Sequence, residues 1–133
     1  MTEFSKSEER FLKKNEMGRF ATISPDGMPH VVPVCYLYHN GKLLVATDYG
    51  TKKYRNLLRN DRVALVVDVY RPNRGVLVQG EGKIVEAGPE FREAYALFYK
   101  KFSWVRADPW KEREAPFVRI EPTGKVSWGL TSK

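Results

Sequence analysis

The chain has 133 residues, a formal net charge of +7, 42% hydrophobic and 13% aromatic content, and one cysteine. That length suits a single domain spanning 1–133, and the charge draws anionic partners in general without choosing among phosphorylated cofactors, nucleic acid or acidic membrane. A lone Cys35 excludes an intramolecular disulfide and a cysteine-rich metal site, and no metal-ligand cluster is expected. No stretch is apolar enough to span a bilayer, no apolar signal core opens the chain, and no run of five like charges forms a nucleic-acid arm, so a cytoplasmic protein without a membrane partner is expected.

In chain order, Ser5 and Glu8 have capping-box spacing, with Phe11 and Leu12 on one face of a first helix running to about Lys14. Arg19 to Ser24 reads as a strand, Pro25-Asp26-Gly27 as a tight turn, and His30 to Tyr38 as the returning arm. Asn40-Gly41 suits a two-residue turn into a third strand ending at Thr47. Pro33 interrupts Val31-Val32-Pro33-Val34-Cys35 and lacks a ladder donor. It marks either a plain edge strand or a bend whose backbone, Val32 to Val34, is free to bind a flat, polar-edged ligand.

The stretch from Thr47 to Leu58 carries the strongest chemical signal. Thr51 suits an N-cap, with Tyr54, Leu57 and Leu58 at helical spacing behind it, so Lys52 and Lys53 fall in a first turn. Two lysines repel the positive end of a helix unless an anion shares the site, where the Thr51 hydroxyl, the first-turn N–H groups and both ammonium groups converge. The other reading is a solvated helix end with its lysines in water.

Beyond it, Val63 to Val69 is a strand, Pro72 to Gly75 a turn, and Val76 to Val85 a strand whose Gly80 and Gly82 suggest a bulge or close backbone approach. Phe91, Ala94, Tyr95, Phe98 and Phe102 make a helical stripe from about Pro89 to Phe102. An irregular segment, Ser103 to Pro116, carries Trp104, Arg106 and Trp110. Aromatics interleaved with cations suit a planar anionic substrate, and tryptophans that only pin the loop are the alternative. Two last strands, Phe117 to Glu121 and Lys125 to Trp128, are expected around Pro122-Thr123-Gly124. The fold class is therefore mainly β with α: a small antiparallel split β-barrel of six to seven strands, with about three helices covering its ends.

No Gly-rich phosphate loop, nucleophile elbow or partnered histidine is present, so no side chain is assigned as catalytic. The ordered set Gly18 to Thr22, Asp26 to Val34, Thr47 to Leu57, Asn60 to Leu65, Gly80-Glu81-Gly82 and Arg119 to Trp128 resembles the pyridoxamine 5′-phosphate oxidase-like family of flavin-binding split barrels. The resemblance implies an FMN-binding oxidoreductase acting on an unidentified small molecule. Thr51, Lys52 and Lys53 would hold the phosphate, Thr47 and Asp48 would lie beside the flavin, and Trp128 would contact it from the last strand. By the same resemblance Gln79 would reach a ring carbonyl. The resemblance also implies a homodimer with the flavin between subunits.

The chain departs from the true oxidases in ending Trp128-Gly129-Leu130-Thr131-Ser132-Lys133 without their Arg- and His-bearing substrate segment, which argues against pyridoxamine phosphate as substrate. Val31 stands where the family has an arginine, which keeps a deazaflavin cofactor open. A non-catalytic flavin carrier and a basic nucleic-acid-binding barrel are the remaining alternatives.

Overall fold

The computed structural model describes residues 2–130. Its elements are α1 (Lys6–Lys14), β1 (Met17–Ile23), β2 (Pro29–His39), β3 (Lys42–Ala46), α2 (Lys52–Arg59), β4 (Arg62–Val69), β5 (Arg74–Val85), α3 (Gly88–Lys101), α4 (Ser103–Ala107) and β6 (Phe117–Trp128). The six strands close into an antiparallel barrel in the order β1-β2-β3-β6-β5-β4. No helix among the described residues is long and apolar enough to cross a membrane.

Alternation along each strand sends one row of side chains inward. Phe20, Val34, Tyr36, Leu43, Val45, Leu65, Val67, Val76, Val78, Val118 and Ile120 fill the interior, all at most 5% exposed. Helices α1 and α2 close opposite ends. The predicted capping box on α1 is present in full, with Ser5 as N-cap and Glu8 reciprocating. Phe11 and Leu12 join the core, and Tyr36 donates its hydroxyl to the Leu12 carbonyl at 2.6 Å. At the far end Leu57 of α2 joins the same core, and Asn56 Nδ2 donates to Thr22 Oγ1 at 3.0 Å, leaving neither buried polar group unpaired.

Helix α3 differs from the expectation that helices cover the openings. It lies on the barrel's outer face, where Phe91, Ala94, Phe98 and Phe102 form a second core with the outward Leu37, Leu44, Val85 and Phe117. Two further corrections concern the end of the chain. The segment after α3 is not wholly irregular, because Ser103–Ala107 forms α4, a fourth helix among the described residues. Pro122-Thr123-Gly124 does not divide two strands; β6 runs through it unbroken. The register against β5 steps from Gln79↔Gly124 to Gly80↔Pro122, so Thr123 is the extra residue of a bulge. Gly80 permits that bulge. A Cβ there would stand 2.1 Å from the Glu121 carbonyl oxygen, a contact no side chain tolerates.

Candidate functional site

Strand β2 pairs with β1 along residues 29–35 but with β3 only from Tyr36 onward, so its other edge is open over the first half. The Tyr36 N–H donates to the Glu16 carbonyl at 3.1 Å, which fixes the alternation of the ladder: Val32 and Val34 face β1, while the Pro33 carbonyl faces the open edge. The expected free backbone of Val32 to Val34 thus narrows to Pro33.

Beside this edge, β3 ends and the chain turns into α2. Thr51 is the N-cap: its hydroxyl donates to the Asp48 carbonyl at 2.7 Å and accepts from the Tyr54 N–H at 3.4 Å, with Thr47 Oγ1 at 3.3 Å. The Thr51 hydroxyl proton is therefore already engaged in shaping the turn. Tyr49 fastens the turn to the barrel by donating to Glu86 at 2.9 Å and stacking edge-on against Tyr54. No acidic residue occupies the first turn of α2, so the positive helix end faces two lysines uncompensated. Burial holds the Lys53 ammonium below its ordinary pKa, and the Asp48 charge only partly opposes this.

These pieces border one cleft of about 430 Å³. Pro33, Val34, Thr47, Asp48 and Lys53 line it from the barrel and the turn, and Trp104 and Trp110 line it from α4 and the loop beyond. Seven of the predicted site residues therefore meet.

The others lie elsewhere. Thr51 is spent on capping and Lys52 is exposed on α2, both outside the lining, while Val32 packs against the barrel core. Arg106 turns to the C-terminus of α3, where it donates to the Tyr99 and Lys100 carbonyls and lies over the Tyr99 ring; those carbonyls are the helix's unsatisfied acceptors. Gln79 and Trp128 sit on the outer face of β5 and β6, with Trp128 over Gly75 and its indole N–H on Asn73 at 3.2 Å.

Cys35, Ala46, Asp108, Glu114 and Ala115 line the cleft without having been singled out. Cys35 was traceable, since it shares a face with Pro33 two residues before it. Asp108 and Glu114 were not, because the path of a loop carries no periodic signal. Burial pushes the Cys35 thiol's pKa up, so it is not poised as a nucleophile. Among the described residues no group of three or more metal-ligating side chains occurs.

A family model described as pyridoxamine 5′-phosphate oxidase matches residues 4–124. The chain belongs to that family. It is 30% identical over 136 residues to a 5a,11a-dehydrotetracycline/5a,11a-dehydrooxytetracycline reductase of Streptomyces rimosus, covering 96% of this chain and 84% of the relative. Among solved structures, a conserved hypothetical protein of Mycobacterium tuberculosis superposes with a TM-score of 0.78 at 26% identity, covering 95% of this chain and 85% of that one. An F420 reductase shares the fold with a TM-score of 0.70 at 24% identity, over 95% and 98% of the two chains.

Proposed function

We propose that this member of the family is an FMN-binding oxidoreductase whose cofactor occupies the cleft, with its phosphate at Lys53 and the α2 N-terminus. The observation that carries this reading is Lys53 itself, a half-buried ammonium beside an uncompensated helix N-terminus in the same cleft as the open β2 edge. Burial without an anion disfavours its charge, and a bound phosphate reverses that penalty. When bound, the flavin supplies the redox chemistry. The protein's own groups anchor and orient: Lys53 and the first-turn N–H groups neutralise the phosphate, the Pro33 carbonyl offers an acceptor along the open edge, and Trp104 and Trp110 shield the far side. The single cysteine suits a reducing compartment such as the cytoplasm.

Gln79 and Trp128 cannot reach the cleft of their own chain, and a homodimer that lays the face carrying them over a neighbour's cleft gives both a place at the cofactor. A deazaflavin is the second reading, supported by Val31 standing beside the open edge where the family has an arginine, and by the F420 reductase that shares the fold. The ligand released from purified protein by mild denaturation separates the two. FMN shows two visible-region absorption bands and a deazaflavin one. Protein that carries neither, and takes up neither when offered them, overturns the proposal.

A further inference from the structure

One of the two readings of the loop has its cations meet a planar anion, whereas the charged loop residues that line the cleft are acidic. Of the basic residues from Ser103 to Pro116, Arg106 is drawn to the end of α3, and neither Lys111 nor Arg113 lines the cleft. Asp108 and Glu114 line it instead, in the company of Trp104 and Trp110. The two indoles lie nearly parallel, 5° between planes and 6.0 Å between centroids, and Trp104 is 41% exposed. The Asp108 carboxylate has no hydrogen-bond or ion-pair partner among the described residues. Glu114 accepts from the Lys111 N–H at 2.7 Å through one oxygen.

Indole faces carry negative electrostatic potential and attract cations, and two carboxylates at the same cleft act in the same sense. Trp110 is fixed in this pose: its indole N–H donates to the Ala115 carbonyl at 3.0 Å, its backbone N–H donates to the Tyr95 hydroxyl at 3.2 Å, and its ring meets Tyr95 edge-on. The aromatic wall is therefore preformed, and little ordering entropy is lost when a ring stacks on it. From this convergence we propose that the α4 side of the cleft takes an organic cation, a planar ring system bearing an ammonium or iminium group, as substrate. Asp108 and Glu114 select its charge. The inference rests on the cofactor reading, which puts the anionic phosphate at Lys53, on the barrel and turn lining, and leaves the α4 and loop lining to the substrate.

The test is a titration of FMN-loaded protein with two planar probes of similar size, N-methylacridinium and acridine-9-carboxylate, followed by quenching of tryptophan fluorescence. The cation should bind at least about tenfold more tightly, and Asp108→Asn combined with Glu114→Gln should shrink that preference about three- to tenfold. FMN affinity should stay unchanged in the double variant, which keeps the Glu114 acceptor for Lys111. Equal or tighter binding of the carboxylate, or a preference the double variant does not move, overturns the inference. If FMN does not bind, the cofactor reading fails by itself, and the same titration on cofactor-free protein still decides the charge preference.

Discussion

Lys53 and Glu8 show what one side chain contributes at a site and in the frame. If Lys53 neutralises a phosphate, Lys53→Ala removes a charge-assisted contact of about 1.5–3 kcal/mol and raises the FMN dissociation constant tenfold or more. The exposed Lys52, outside the cleft lining, should matter less. Riboflavin lacks the phosphate and should be nearly indifferent to both changes; equal losses for the two ligands in a fluorescence titration would remove the phosphate from Lys53. Because burial lowers the Lys53 pKa in the free protein, FMN affinity should also fall as pH rises through that lowered value, where binding must first restore the proton. Glu8 behaves oppositely. Burial alone would raise its pKa, but bonds from Lys125, from Ser127 at 2.6 Å and from the Ser5 N–H at 2.8 Å overcome this and hold it at about 2, against an ordinary 4.5. A carboxylate with a depressed folded-state pKa stabilises fully above its unfolded value and loses that contribution as pH falls through the folded one. Glu8→Gln should therefore cost about 2 kcal/mol near neutral pH and flatten the decline in chemical-denaturation stability between about pH 4.5 and 2.

At the scale of elements, legibility followed periodicity. The capping box of α1, the Asn40-Gly41 turn with both residues at positive φ, and the stripe of α3 each repeat a local rule that tertiary packing left intact. Pro122-Thr123-Gly124 misled because turn-forming residues also serve a bulge, and only the β5 register decides between them. That register makes Gly80→Ala costly. Its Cβ would collide with main chain that cannot swing away, so a loss of about 3 kcal/mol and a melting temperature lower by about 10 °C are expected by calorimetry. The loop after α4 was legible in content but not in path. Trp110 proves to be both wall and staple, so Trp110→Ala should lower the melting temperature and weaken ring binding together, rather than one alone. Arg106→Ala should cost only the few tenths of a kcal/mol typical of a cation at a helix C-terminus, and leave ligand titrations unchanged.

For the whole molecule, the register shows which part of the barrel lacks cover. Cross-strand partners share a face, so Val126, Leu77, Val66, Arg19 and Pro33 form one outward row across β6, β5, β4, β1 and β2, and Gly124, Gln79, Ala64, Ala21 and Val31 form the next. Helix α3 packs on Leu37, Leu44, Val85 and Phe117, away from these rows. Val31 and Val126 are 57% and 58% exposed, and Pro33 belongs both to the first row and to the cleft. An apolar sheet face continuous with the site suits a second copy of the chain better than solvent. A two-fold axis repeats every contact, so in a dimer built on this face Val126→Glu would place two carboxylates in the interface while leaving the barrel interior untouched. Light scattering should show a dimer for the parent protein at micromolar concentration and a monomer for the variant. If the face bearing Gln79 and Trp128 covers a neighbour's cleft in the dimer, the monomer should hold FMN more weakly. A parent protein that is monomeric with flavin bound would instead confine the whole site to one chain, and Gln79 and Trp128 would have no part in it.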